Sequence, residues 1–135
     1  MSPSAAAVVL AIVATVSIVE SSRISEVEEI LTAPDVQTVE MAGETADGRF
    51  TYSLEIGRGV FISGSLGAVE PGRTYQLWLV GDTGPEPAGL FTPDTAGRST
   101  AVVEDVAAGL VLAITEEPAG GSHQPTGDVL LAGEV

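Results

Sequence analysis

Phe50, Tyr52, Leu54 and Ile56 alternate with Thr51, Ser53 and Glu55. Successive side chains of a strand point to opposite faces, so a period of two predicts a half-buried strand with all four apolar groups on one side. The same reading extends through most of the chain beyond Pro34. Gln37-Thr-Val-Glu-Met41 predicts a strand. Gly57-Arg-Gly59 turns the chain into Val60-Phe-Ile62, which continues toward Leu66. Glu70-Pro-Gly-Arg73 places Pro and Gly at the two central positions of a β-turn, the type II signature.

Thr74 to Val80 is apolar at nearly every position, which predicts a central strand covered on both faces, with Trp78 as a core anchor. Gly81 to Pro87 reads as a loop and Ala88 to Phe91 as a short strand. A turn over Thr92 to Gly97 leads into strands at Arg98 to Glu104 and Leu110 to Thr115, and Val129 to Ala132 closes the domain. Seven or eight short strands at close spacing, with Gly- and Pro-rich turns, mean an antiparallel sandwich or barrel. An all-β antiparallel β-sandwich over residues 35–135 is the expectation.

The N-terminus is of another kind. Ala5 to Val19 is apolar apart from Thr15 and Ser17. As a helix this run would span roughly 22 Å at about 1.5 Å per residue, slightly short of a ~30 Å bilayer core. Ser2 to Ser22 can supply the remaining length at the interfaces. A signal peptide calls for a positive leading region, and no Lys or Arg precedes Arg23. A buried core helix with apolar character on every face is unusual in so small a domain. A transmembrane anchor over residues 1–22 fits best. Ile24, Val27, Ile30 and Leu31 fall at helical spacing, and Ser25 with Glu28 can form a capping box. A short linker helix over 23–34, ended by Ala33-Pro34-Asp35, is therefore expected between anchor and domain.

Charge excludes several functions. Nineteen acids face five arginines, for a net charge of −14, so the clustered cations that displace counterions from nucleic acid are absent. A patch for anionic lipid headgroups fails for the same reason. With no cysteine, disulfides, thiolate catalysis, Cys-based zinc sites and blue-copper chemistry are out.

The candidate reactive groups are few. His123 is the single histidine, and a triad with Ser122 or Thr126 is conceivable, but a lone histidine in a Gly- and Pro-rich loop is more often idle. Glu116 and Glu117, being adjacent on a strand, point to opposite faces and cannot act as a close pair; Glu104 and Asp105 share that limit. Asp82, Asp94 and Asp128 in loops are the candidates for calcium, without an Asp-x-Asp-x-Asp-Gly pattern. Gly120-Gly121 reads as a loop needing positive φ, not a phosphate cradle, since Glu116 and Glu117 flank it and no helix follows. No catalytic, cofactor-binding or metal-binding residue is expected, and the chain is not read as an enzyme.

Three ordered motifs carry more information than any of these residues alone. Tyr75-Gln-Leu-Trp-Leu-Val80 is followed by Pro87-Ala-Gly-Leu-Phe91 and then by Glu117-Pro-Ala-Gly-Gly-Ser-His-Gln-Pro-Thr126. The last segment holds more turn chemistry than a hairpin needs, so it predicts a loop of specific shape. From about Val27 to the C-terminus this arrangement resembles the C-terminal domain of the anti-sigma-K factor family. The resemblance implies an extracytoplasmic, non-enzymatic sensor domain on a single-pass cell-membrane anchor. It also implies release of a sigma factor by site-1 and intramembrane proteases. No amphipathic helical segment precedes the apolar run, so the chain by itself is not expected to bind the sigma factor. The alternative class is a membrane-tethered interaction or structural module of the cell envelope, and a sugar- or ion-binding domain is the weaker third.

Overall fold

The computed structural model describes residues 24–135, so the apolar run Ala5 to Val19 and the anchor expected over 1–22 lie outside the described residues. Residues 24–31 form a helix (α1). Ser25 lies inside it, so the capping box expected from Ser25 and Glu28 does not mark its start. Of the apolar face read from the sequence, Ile30 is fully buried, whereas Ile24 and Leu31 are exposed. Among the described residues no helix is long and apolar enough to cross a membrane.

Eight strands follow: β1 (Gln37–Ala42), β2 (Asp47–Ser53), β3 (Arg58–Ser63), β4 (Arg73–Gly81), β5 (Gly84–Phe91), β6 (Ser99–Val103), β7 (Val111–Pro118) and β8 (Leu131–Glu134). All pairings are antiparallel, in the order β5-β4-β7-β8-β1-β2-β3-β6. The strands therefore make one continuous sheet where two packed sheets were expected. The short strand β8 is the reason. It pairs with β7 along its length and meets β1 through the single pair Ala42↔Ala132, which stitches two four-stranded halves together. At the other side β5 and β6 approach without pairing, so the sheet curls into a nearly closed barrel.

The core lies between the halves. Met41, Phe50, Phe61 and Val103 from one side pack with Leu77, Leu112, Ile114 and Leu131 from the other, all nearly inaccessible to water. The Phe91 ring sits 5.4 Å from Phe61 and 5.5 Å from Tyr75, within the range of favourable aromatic pairs. On β3, Arg58 donates to Glu26 (3.1 Å) and Glu29 (3.4 Å) of α1, which ties the helix to the outer face of the barrel.

Several boundaries differ from the expectation: β3 ends at Ser63, short of Leu66, and β7 runs on past Thr115 to Pro118. The alternating run from Phe50 stops at Ser53 instead of reaching Ile56. Asp35 accepts from Ser53 Oγ (2.6 Å) and Glu55 N (2.9 Å), while Gly57 N donates to Ser53 O, so a turn replaces the last strand residues and Leu54 is exposed. Gly81 to Pro87 is no loop: Gly81 pairs with Gly84, making a tight hairpin, and β5 begins there. Prolines 85 and 87 are tolerated because β5 is an edge strand whose outer side needs no ladder donor. At the C-terminus the last strand begins at Leu131, later than Val129, which is exposed. The type II turn is present, with Arg73 N donating to Glu70 O at 3.0 Å and Gly72 at φ 82°.

Candidate functional site

Strand β4 presents two faces with different partners. Tyr75, Leu77 and Leu79 point into the barrel core, and their partners on β7 are Glu116, Ile114 and Leu112. Thr74, Gln76 and Trp78 point outward, opposite Glu117, Thr115 and Ala113. An outer face would ordinarily meet water, yet all six of these residues are buried. The loop 119–128, which carries the longest of the three motifs, docks on this face through Gln76 and Glu117.

A carboxylate organises this docking. The Glu117 side chain is 0% exposed. Thr115 Oγ1 donates to it at 2.5 Å, Ser122 Oγ at 2.9 Å and Thr126 Oγ1 at 2.5 Å. The Thr126 main-chain N–H donates to both carboxylate oxygens at 3.1 Å, and Gly127 N–H adds a longer contact at 3.4 Å. Burial by itself would push the Glu117 carboxyl up. The hydroxyls of Thr115, Thr126 and Ser122 and the Thr126 amide favour the anion more strongly and hold it at about 2, below the ordinary 4.5. Among the described residues no arginine neutralises it: Arg73 pairs instead with Glu116, at 3.5 Å. Hydrogen-bond donors alone carry this buried charge.

Two more residues connect the network to the barrel. The Trp78 indole N–H donates to Thr115 Oγ1 at 2.8 Å, and the same hydroxyl passes its own proton to Glu117. Gln76 Nε2 donates to Ser122 O at 3.0 Å while Ser122 N donates to Gln76 Oε1 at 2.8 Å, so a side-chain amide imitates a strand partner for the loop. Gly121 makes that approach feasible. Its φ is 82°, and a Cβ there would stand 2.9 Å from Leu90 Cδ2 and 3.1 Å from Gln76 Oε1. The three motifs thus meet in one place: Gln76 and Trp78 from the first, Leu90 from the second, and Glu117 with its loop from the third.

Chemically the assembly holds a shape. An ionised carboxylate whose lone pairs are already taken by these donors, and whose acidity is this strong, is a poor proton acceptor. The structure gathers Ser122 and Thr126 around Glu117, not around His123, whose ring is exposed beside a shallow hollow near Leu90. Glu116 and Glu117 do face opposite ways, one toward Arg73 and one into the network. Asp82, Asp94 and Asp128 lie outside the strands in separate loops. Asp94 caps its own turn, accepting from Arg98 N and Ala96 N at 2.9 Å each, and those bonds hold its carboxyl below the usual carboxylate range. Among the described residues no group of three His, Cys, Asp or Glu is arranged to hold a metal ion.

Trp78 was expected in the core; it is fully buried, but on the face away from the main cluster. The anchoring role of Glu117 escaped the sequence reading altogether. Its one signal was a glutamine, Gln76, in the middle of an otherwise apolar strand, since a buried amide needs a partner.

A family model described as "Anti-sigma-K factor rskA, C-terminal" matches residues 1–129. Curated relatives carry the name Anti-sigma-K factor RskA. That of Mycobacterium ulcerans (strain Agy99) is 41% identical over 106 residues, covering 76% of this chain and 45% of the relative. That of Mycobacterium sp. (strain KMS) is 40% identical over 103 residues, covering 73% and 42%. That of Mycobacterium tuberculosis (strain ATCC 25618 / H37Rv) is 36% identical over 105 residues, covering 76% and 45%. The chain therefore spans less than half the length of these relatives. No solved structure matches it. With the family model covering nearly the whole chain and its three motifs converging on one buried network, the chain belongs to the anti-sigma-K factor C-terminal domain family.

Proposed function

We propose that the barrel is the extracytoplasmic sensor and regulatory domain of a membrane-bound anti-sigma factor, acting through regulated proteolysis. The observation that carries this reading is the order of parts within a family of anti-sigma factors. Fifteen residues without a charge, Ala5 to Val19, run into α1, which is pinned by ion pairs to a barrel with no metal-holding group of His, Cys, Asp or Glu among the described residues. In this reading the apolar run spans the bilayer once and the barrel stands outside. Site-1 and intramembrane proteases cut near the anchor, and sigma-factor contact belongs to a part of the protein other than the barrel. The barrel binds no nucleic acid, because its surface is acidic.

Alkaline phosphatase fused after Val135 tests the topology. The fusion should be active in cells, and Ile12→Arg should reduce that activity, since an arginine at mid-helix costs ~2.5–3.5 kcal/mol of insertion on translocon scales. A fusion that is inactive, or one that Ile12→Arg leaves fully active and membrane-bound, rules the anchor out.

A further inference from the structure

The chain between the apolar run and β1 is fastened to the barrel at three points. Ile30 of α1 is fully buried, and Ala33 is buried just beyond it. Arg58 of β3 clasps Glu26 at 3.1 Å and Glu29 at 3.4 Å. Asp35 accepts from Ser53 Oγ at 2.6 Å and Glu55 N at 2.9 Å, and from Gln37 onward the chain is locked into the ladder of β1 with β2. Between these points the segment meets water, with Ile24, Glu28 and Leu31 exposed.

The start of α1 sits at the side of the barrel where β5 and β6 approach without pairing, and it borders two clefts there. The first, of about 590 Å³, is lined by Glu26 together with Leu79, Val102 and Leu110. The second, of about 490 Å³, is lined by Glu26 and Val27 together with Leu77, Phe91 and Ala101. A close-packed interior leaves few voids larger than a water molecule, so a helix bordered by two such clefts is loosely seated. Ion pairs as exposed as those of Arg58 contribute little. Burial of Ile30 therefore carries most of the attachment.

We infer that α1 is a strap at the β5–β6 seam, and that residues 24–36 are an endoproteolytic site which the docking of Ile30 keeps closed. An endoprotease takes its substrate as extended chain, so it cuts the population that has opened locally. A helix seated on the barrel has to leave it and unwind before its bonds reach an active site. The ladders beyond Asp35 open only with the barrel, whereas α1 opens when Ile30 leaves its seat. The cut is a hydrolysis: water adds across one peptide bond, leaving a new carboxylate on the side of the apolar run and a new amine on the side of the barrel. It separates the barrel from the apolar run without breaking a strand. The regulatory use of such a cut rests on the proteolysis proposed above; the guarding by docking does not.

Limited digestion of the full 135-residue chain in non-ionic detergent, with a glutamate-specific endoprotease and mass spectrometry of the products, tests the strap. The bond after Glu28 is the reporter, because Glu28 is exposed and takes no part in the ion pairs. The bond after Glu44, exposed between β1 and β2, is the internal reference. Ile30→Ala is the decisive variant, since alanine is the better helix former and only the docking side chain is lost. It should raise cleavage after Glu28, relative to Glu44, by about tenfold or more. Arg58→Ala should raise the same ratio by about threefold, and Arg58→Glu combined with Glu26→Arg and Glu29→Arg should bring it back toward wild type. A ratio unchanged or lowered by Ile30→Ala would show that α1 protects itself without the barrel, and would overturn the inference. So would a wild-type chain cut as fast after Glu28 as after Glu44. The digestion needs no membrane topology, so its failure is separate from that of the phosphatase fusion.

Discussion

Gln76 and Ser122 bond each other twice across 46 residues of chain, amide nitrogen to carbonyl at 3.0 Å and backbone nitrogen to amide oxygen at 2.8 Å. A buried glutamine in a strand thereby serves as the docking partner of a distant loop. Gln76→Leu removes both bonds and leaves the Ser122 main chain without its partner. The expected loss is ~1–3 kcal/mol of stability, the usual penalty for an unsatisfied buried polar group. Hydrogen exchange should show Ser122 losing protection while the core strands keep theirs.

Glu117→Gln tests the centre of the network. The substitution keeps the shape but points an NH2 group at donors that need acceptors, among them Thr126 N and Oγ1. A loss of at least ~1–3 kcal/mol is expected, larger than for Gln76, because bonds to a charged acceptor are the stronger ones. Denaturant titration at neutral pH measures it. A variant as stable as wild type would show that the carboxylate does not hold the loop.

The same carboxylate sets an acid limit. Its folded-state value of about 2 lies below the 4.5 of an unfolded chain, so folding is favoured by deprotonation. That contribution is fully present above about pH 4.5 and is lost as pH falls through about 2. Asp35, whose bonds from Ser53 and Glu55 lower it, and Asp94, lowered by the Arg98 and Ala96 amides, add the same sign. Unfolding curves between pH 6 and pH 2 should show falling stability, and Glu117→Gln should flatten the decline. An equal slope in the two proteins would place the acid sensitivity elsewhere.

Trp78→Ala should cost ~3–5 kcal/mol, the range for large aromatic truncations. The hole would open on the outer face of β4, because Trp78 lies away from the main cluster. Trp78→Phe refills most of the volume but leaves Thr115 Oγ1 without the indole donor, and a smaller loss is expected. A melting temperature untouched by Trp78→Ala would contradict the burial of this ring.

Gly121→Val and His123→Ala separate shape from chemistry in neighbouring residues. At φ 82°, with Leu90 Cδ2 2.9 Å from the site of a Cβ, a β-branched residue is both strained and crowded. More than ~1 kcal/mol should be lost. His123 is exposed, so its truncation should stay within ~0.5 kcal/mol. Thermal melts of the two variants suffice, and a silent Gly121→Val would contradict the geometry.

Much of this protein was decided locally and was therefore legible in the sequence. Alternation at Phe50 and Tyr52 specifies a strand face, Pro71-Gly72 specifies a turn, and the nearly unbroken apolar run from Tyr75 requires cover on both sides of β4. Each follows from side-chain geometry over a few residues, with no need to know what lies opposite. Chain order also carried the three motifs that mark the family.

What covers the outer side of β4 could not be read that way. The network around Glu117 depends on β4 and β7 being neighbours in a register that sets Thr74 opposite Glu117 and Gln76 opposite Thr115, although the strands are separated by β5 and β6 in sequence. Only that pairing turns two glutamates that look alike, Glu116 and Glu117, into a surface ion-pair partner and a buried anchor. Likewise, the single bridge Ala42↔Ala132 decides between two sheets and one, and the Asp35 bonds decide that the strand at Phe50 stops at Ser53. Local periodicity fixes which way a side chain points; the partner it meets is set by long-range register, and burial and charge state follow from the partner.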